Sequence, residues 1–308
     1  MKFAIMATGG VGGYFGARLS DAGHDVTFIA RGAHEQAIEA NGLRIASALG
    51  DIHLKTPIVT DDPADVGPVD VVIFAVKLWD TLTSAETCKP LVGPDTMVVP
   101  FQNGVESMPT LMEILGTDRV IGGIAQIASV ISEPGAILHT SPFARLRFGE
   151  PDGSRSQRCV NFLNALQDAG VEAELTQHID RVIWEKFAFL VALSGVTSVT
   201  RSTLGPILDD PDVRALFKGV MTETHDVGVA SGIVFTEGFL DGALDFARSF
   251  PPSTKASMFH DLERGGRLEL PWLSGGVVRM GEKLGVETPI NKTIYAALKL
   301  YSDGTPTG

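Results

Sequence analysis

The stretch Lys2-Phe-Ala-Ile-Met-Ala-Thr-Gly9-Gly-Val-Gly12 constrains this chain more than any other. A short apolar run enters a cluster of glycines, and the glycines open a helix-compatible segment. That order predicts a strand, a tight turn and a helix whose first N–H groups are free to hold a diphosphate. The pattern is G-x-G-x-x-G with Ala7 in the first position, followed by Gly9 and Gly12. The first glycine eases the turn, a role Ala can take. The second lets backbone approach the pyrophosphate, and the third lets helix meet strand. A second strand, Asp25-Val-Thr-Phe-Ile-Ala30, follows at the distance a βαβ unit requires. The bland alternative is a glycine-rich β–α turn with no ligand.

Where such folds bind NAD, an acidic residue at the tip of the second strand accepts hydrogen bonds from the ribose 2′-OH. Here the tip reads Ile29-Ala30-Arg31-Gly32, with no carboxylate. An acid would repel a 2′-phosphate, whereas Arg31 can form charge-assisted bonds to it. The expected cofactor is therefore NADPH rather than NADH. The competing reading of Arg31 is a solvated loop arginine.

With 308 residues, two domains are the natural expectation. A formal net charge of −12 argues against nucleic acid or an anionic membrane as partner, and leaves room for a small anion at a locally basic site. Cys88 and Cys159 lie far apart without metal-ligand spacing, which suits a reducing cytosol, and no metal is expected. The Met-Lys start resembles a signal peptide, yet its apolar run breaks at Gly9, and no membrane-spanning length is expected elsewhere. The expected location is cytoplasmic.

The first half alternates strands and helices. A helix over Gly10–Ala22 should stop at Gly23. Asp70–Val76, Thr96–Gln102 and Arg119–Ala125 read as strands, the first of the buried parallel kind. Leu138–Thr140 and Ala144–Gly149 are candidate late, antiparallel strands. The fold class that follows is α/β: an N-terminal Rossmann-type doubly wound sheet over 1–175 and an all-helical domain over 176–308. Helical periodicity runs through Arg181–Val199, Pro211–Ser231, Gly238–Phe250, Leu273–Leu284 and Ile290–Tyr301. The absence of a Pro/Ser linker suggests packed domains with a cleft between them. The polar end from Asp303 is expected to fray.

Lys77 follows a buried strand at its carboxyl end, where open α/β sheets bind ligands. It can approach a phosphate or an anionic substrate, or simply open a loop. Asn103, in Phe101-Gln-Asn-Gly-Val105, lies at the same edge; Asn-Gly also marks plain turns. Lys186 precedes a long apolar run, and a lysine withdrawn from water becomes a better proton donor near neutral pH. Its alternative is to snorkel beside Glu185. Glu269 has apolar neighbours on both sides and needs a partner if buried. His139, His178 and His260 show no metal-type pairing and read as structural.

Together these residues resemble the ketopantoate reductase family over nearly the whole chain. The matching stretches are Gly9–Gly16, Ala22–Arg31, Val76-Lys77, Gln102-Asn103-Gly104, Trp184-Glu-Lys186, Ser257-Met-x-x-Asp261, Gly-Arg-x-x-Glu269 and Gly285-Val-x-Thr-Pro-x-Asn291. The resemblance implies a nicotinamide-dependent reduction of a 2-oxo acid, with Lys186 and Glu269 as catalytic residues. Lys186 would protonate the developing alkoxide, and Glu269 would touch the cofactor ribose or support the lysine. It implies substrate contacts at Asn103, Lys186, Leu190, Ser194 and Ser257. Cofactor contacts would fall at Ala7, Thr8, Gly9, Gly10, Val11, Gly12, Arg31, Lys77, Asn103, Ala128 and Glu269. A small 2-oxo acid is the implied partner, in pantothenate biosynthesis and the coenzyme A pathway, and a homodimer is the candidate assembly.

The chain departs from the family pattern where the substrate should bind. Leu190, Ser194 and Leu204 stand where asparagines are frequent, and Glu269-Leu-Pro271-Trp-Leu-Ser274-Gly275 replaces an Asp and an Asn. Fewer amides mean fewer hydrogen bonds to a substrate hydroxyl or carboxylate, which changes specificity by orders of magnitude. The leading expectation is reduction of 2-dehydropantoate. Leu190 and Trp272 prompt a less polar 2-oxo acid as the alternative, and a non-catalytic NADP-binding regulator is the alternative of another class.

Overall fold

The computed structural model describes residues 1–306, in two compact units, Met1–Ile179 and the chain from Asp180 onward. The division falls where a long helix begins, rather than at the last strand near 175.

In the first unit the elements run β1 (Lys2–Met6), α1 (Gly10–Asp21), β2 (Asp25–Ile29), α2 (Gly32–Asn41), β3 (Leu43–Ser47), β4 (Ile52–Leu54) and β5 (Ile58–Thr60). They continue with β6 (Val71–Phe74), α3 (Thr81–Cys88), β7 (Met97–Pro100), α4 (Ser107–Leu115), β8 (Gly122–Gln126) and β9 (Ser129–Glu133). Last come β10 (Ala136–His139), β11 (Arg145–Gly149), α5 (Gln157–Asp168) and β12 (Glu172–Leu175). Five strands form a wholly parallel sheet in the order β5-β2-β1-β6-β7. The chain winds outward from β1 in one direction and then, from β6, in the other. This reversal beside β1 is the switch point of a doubly wound fold.

Alternation along β1 separates the two cores. Phe3 and Ile5 pack with Phe15 and Leu19 of α1 and Phe162 of α5, while Ala4 and Met6 pack with Ala85 of α3 and Leu111 of α4. A strand buried on both faces therefore reads as a continuous apolar run. Helix α1 ends as expected, with Gly23 at a left-handed φ of +87°. Two smaller sheets complete the unit, β4-β3-β10-β9 and β12-β11-β8. The late strands are of mixed sense: β10 runs antiparallel to β9 and parallel to β3, and β11 antiparallel to β8 and parallel to β12. Short strands such as β4 and β5 had no sequence signal, because three residues cannot show a period.

The second unit comprises α6 (Ile179–Thr200), α7 (Leu204–Asp209), α8 (Pro211–Ala230), α9 (Phe239–Arg248), α10 (Ser257–Glu263), α11 (Ser274–Leu284) and α12 (Pro289–Leu298). No strand occurs there among the described residues. Asp210 caps α8 by accepting from the N–H groups of Asp212 and Val213, with Pro211 at the first helical position. The buried carboxylate of Glu223 caps α12, accepting from the N–H of Ile290 at 2.7 Å and of Asn291 at 2.8 Å, and from Asn291 Nδ2 at 2.8 Å. The Thr-Pro-x-Asn291 stretch is thus a helix-start device. One expectation is corrected by α6. Its 22 residues are long and apolar enough to cross a membrane by length and composition, and 72% of its apolar window is buried inside the protein.

Candidate functional site

Register places the carboxyl ends of β2, β1, β6 and β7 side by side, with Met6 opposite both Ile29 and Phe74, and Phe74 opposite Pro100. The residues just past those ends are therefore neighbours on one edge: the Ala7–Gly12 turn, Arg31, Lys77 and Asn103. Ligands of open α/β sheets bind at this edge.

Ala7 has φ +76°, a left-handed backbone that favours glycine. The turn thus asks more of this position than the sequence suggested, and Ala occupies it under strain. Thr8 is buried, and its N–H and its hydroxyl both donate to the Ile29 carbonyl at 2.9 Å. Gly9 and Gly12 lack a side chain for opposite reasons. A Cβ on Gly12 would sit 2.2 Å from the Ala7 carbonyl oxygen, so helix and strand leave it no space. A Cβ on Gly9 would meet nothing within 4 Å, and its φ of −78° suits any residue. Gly9 borders open space where a side chain would intrude, the cradle a close-approaching pyrophosphate needs. Helix α1 has no acidic residue in its first turn and no side-chain cap, so the N–H groups around Gly10 and Val11 remain available to an anion. The residues present fit a dinucleotide.

Arg31 is exposed at the tip of β2, as the N-cap of α2. Lys77 is exposed, with its ammonium 5.5 Å from the Trp79 ring centroid. Asn103 is half-buried before Gly104, whose φ of +92° makes the sharp turn away from β7. Ala128 is exposed between β8 and β9; its carbonyl accepts from Thr140 N–H at 2.8 Å and its N–H donates to Ser141 Oγ at 2.9 Å. Sequence reasoning gave no role to Gln102. Its buried Nε2 donates to the Val76 carbonyl at 2.9 Å and to Thr81 Oγ1 at 2.8 Å, while Thr81 donates to the Leu78 carbonyl. It thereby ties the end of β7 to the loop that carries Lys77. The available signal was a polar side chain closing an otherwise apolar strand.

In the second unit Lys186, Leu190 and Ser194 follow one another at four-residue spacing on α6. The Lys186 side chain is half-buried along its length. Burial of its ammonium pulls the pKa down to about 8, and the negative charge of Glu269 acts in the opposite direction. Glu185, the suggested companion of a snorkelling lysine, instead accepts from the N–H of Thr236 at 2.8 Å. Glu269 is buried in a turn before α11 rather than on a helix, its carbonyl accepting from Trp272 and Leu273 N–H. A cationic acid held near neutrality beside a buried carboxylate can deliver a proton to oxygen.

Ser194 and Ser274 are fully buried, and neither hydroxyl has a hydrogen-bond partner among the described residues. Leu190 and Trp272 are half-buried, and Ser257 is exposed at the first residue of α10. Leu204 is buried at the start of α7, and the Pro271 carbonyl accepts from Arg279. Burial pushes the free thiols of Cys88 and Cys159 up to about 12 and 11, which leaves them unreactive. No His/Cys/Asp/Glu cluster suited to a metal occurs among the described residues. His139 is buried between the hydroxyls of Ser47 and Ser141.

A sequence model described as "Ketopantoate reductase PanE/ApbA" matches residues 3–153, and one described as "Ketopantoate reductase PanE/ApbA C terminal" matches residues 178–302. The "Uncharacterized oxidoreductase YkpB" of Bacillus subtilis is 32% identical over 305 residues, covering 98% of this chain and 99% of its own. A "2-dehydropantoate 2-reductase" of Mesorhizobium japonicum is 32% identical over 324 residues, covering 97% and 96%. Among solved structures, a PanE/ApbA family ketopantoate reductase from Ralstonia eutropha superposes with a TM-score of 0.89 at 31% identity, covering 98% of both chains.

Proposed function

The chain belongs to the ketopantoate reductase family, and from that premise we propose that it reduces 2-dehydropantoate to pantoate with NADPH, Lys186 donating the proton. It is an oxidoreductase of that family. The observation that carries the proposal is the Lys186–Glu269 pair, a lysine brought to about 8 by burial and opposed by a buried carboxylate.

When bound, the reduced nicotinamide supplies a hydride to the 2-keto carbon. The Gly9 turn and the first turn of α1 would hold the pyrophosphate through backbone N–H groups. Arg31 would bind the 2′-phosphate, which is the reason for preferring NADPH, since no carboxylate stands at the tip of β2. Lys77 and Asn103, at the same edge, would contact the nicotinamide end of the cofactor and the acid. As the carbonyl becomes an alcohol, the Lys186 ammonium stabilises the negative charge growing on oxygen and transfers its proton there. The neutral amine then regains a proton from solvent. Ser257, exposed at the start of α10, would supply a hydroxyl to the substrate, whereas the hydroxyl of Ser194 is enclosed by protein and is not offered to a ligand.

A second substrate is favoured by Leu190. Half-buried on the Lys186 face of α6, it offers an apolar contact where family members often carry an amide. A less polar 2-oxo acid would gain there what ketopantoate loses. Steady-state NADPH oxidation with ketopantoate beside 2-oxoisovalerate separates the two. Ketopantoate turning over with the larger kcat/KM supports the first; no turnover of ketopantoate overturns it. Full activity in Lys186→Ala would overturn the proton-donor role under either substrate, and NADPH binding without turnover of any 2-oxo acid would favour a regulator.

A further inference from the structure

His34 stands in the first turn of α2, three residues after Arg31, and has no part in the chemistry above. Its ring joins three elements of the first unit. Nε2 lies 2.9 Å from the Thr8 carbonyl oxygen, and Nδ1 lies 3.1 Å from the Gly135 backbone nitrogen in the turn between β9 and β10. The partners settle the tautomer. A backbone N–H can only donate, so Nδ1 must be bare; a carbonyl can only accept, so Nε2 must carry the proton. Burial lowers the pKa of this imidazole, which keeps it in the neutral form that both bonds require.

Thr8 is the residue between strained Ala7 and open Gly9. With its N–H and hydroxyl both given to Ile29 and its carbonyl held by His34, every polar group it has is committed. A trans peptide is planar, with its C=O and the following N–H in opposite directions. Fixing the Thr8 carbonyl toward α2 therefore sends the Gly9 N–H the other way. The other end of the His34 bridge acts on the same turn. The chain around Ser129, at the start of β9, lies so close to α1 that a Cβ on Gly10 would be 2.3 Å from the Ser129 carbonyl oxygen. Anchoring Gly135 to His34 ties down the β9–β10 hairpin that forms this wall.

We propose that His34 is a positioning residue for the dinucleotide turn, orienting the Gly9 N–H and holding the β9–β10 hairpin against the start of α1. The inference rests on the reading that the first unit binds a nicotinamide dinucleotide. It requires a neutral side chain that donates to Thr8 and accepts from Gly135, a demand that glutamine can meet and alanine cannot.

The test measures NADPH affinity by fluorescence titration, and cofactor KM and kcat, in wild type, His34→Ala and His34→Gln. Loss of one oriented hydrogen bond at the turn should raise Kd and cofactor KM about tenfold in H34A. The loss should fall on cofactor KM far more than on kcat, and H34Q should recover most of it. A purely structural histidine would instead lower the unfolding midpoint and leave Kd unchanged in the folded fraction, which overturns the proposal. Should H34A fail to fold, histidine nitrogen NMR on the wild-type protein reads the tautomer directly. A proton on Nε2 with a bare Nδ1 supports the assignment, and a proton on Nδ1 overturns it. Absence of NADPH and NADH binding by the wild-type protein would refute the cofactor reading itself.

Discussion

Replacing Glu269 with Gln should move the alkaline limb of the pH profile for reduction while leaving its low-pH plateau in place. Burial lowers Lys186 to about 8, and the Glu269 charge opposes that shift. Only the protonated amine can donate. Reduction therefore runs at its plateau well below pH 8 and falls about tenfold per pH unit above it. An opposite charge a few ångströms away is worth about one to three pKa units. Taking the low end, the E269Q limb lies about one unit lower. At about pH 7.5 the protonated share of Lys186 then drops from about three-quarters to about one-quarter, a loss of about threefold. At about pH 6 both proteins are at least about nine-tenths protonated, and the difference vanishes. The assay is single-turnover oxidation of bound NADPH, followed by nicotinamide absorbance from about pH 5.5 to 10 with saturating substrate. An equal loss at every pH would mean that Glu269 acts on cofactor or substrate instead. An unmoved limb would mean that its charge does not tune the proton donor.

The two fingerprint glycines should separate folding from binding. Gly9→Ala meets open space and should leave the unfolding midpoint within about 1 °C while raising cofactor KM by about tenfold or more, whereas Gly12→Ala, with its methyl 2.2 Å from a backbone oxygen, should lower the midpoint by several degrees. If G9A binds NADPH as wild type does, the pyrophosphate does not approach that residue. Ala7→Gly removes a left-handed strain of about 1–2 kcal/mol and loosens the unfolded chain by about 0.4–1 kcal/mol, so the apo protein should melt higher, by up to about 3 °C. A lower midpoint in differential scanning calorimetry would show the strain to be illusory. Arg31→Asp should raise the NADPH KM by about ten- to a hundredfold, the worth of a charge-assisted bond, and change the NADH KM little. Equal effects on both cofactors would refute the 2′-phosphate role.

The sheet and its carboxyl edge were readable because burial on both faces forces continuous apolar strands. Lys2–Met6, Val71–Phe74 and Met97–Pro100 carry that signal undiluted. The helical unit was readable from periodicity over helices such as α8 and α11, and from the sheer length of the apolar run in α6. What could not be read depends on contacts distant in sequence. His34 and Gly135 are far apart in the chain, and neither marks a turn's function by itself. Gln102 acts through Val76 and Thr81, so its role appears only when two strand ends meet. Ala7 illustrates a different gap. Its identity suggested an easy replacement for glycine, while the φ of +76° shows that the turn still demands the glycine conformation. Identity reports which side chain is present and not what the backbone asks of it.

The same distinction bears on the substrate. Hydride and proton chemistry depend on groups that act alone or in one pair, and in the proposed function Lys186 with Glu269 is such a pair. Selection among 2-oxo acids depends on a set, because a polar substrate group is rewarded only if each of its hydrogen bonds is met. In the proposed substrate reading, Leu190, Ser194 and Ser274 are the positions that depart from that set. Two of the three positions hold buried hydroxyls without a partner among the described residues, and the third holds a hydrocarbon. Both hydroxyls are enclosed by protein, so of the three positions only half-buried Leu190 has surface to offer a substrate. A ligand that turns an alkyl group toward Leu190 would meet hydrocarbon there. Ketopantoate, with a gem-dimethyl carbon beside its hydroxymethyl group, and 2-oxoisovalerate can both present such a group, but only ketopantoate also carries a hydroxyl that an amide would reward. The family match, not this contact, is why the proposal keeps ketopantoate first. Leu190→Asn should therefore widen the preference for ketopantoate over 2-oxoisovalerate; a narrowed ratio of kcat/KM values would place Leu190 away from the substrate.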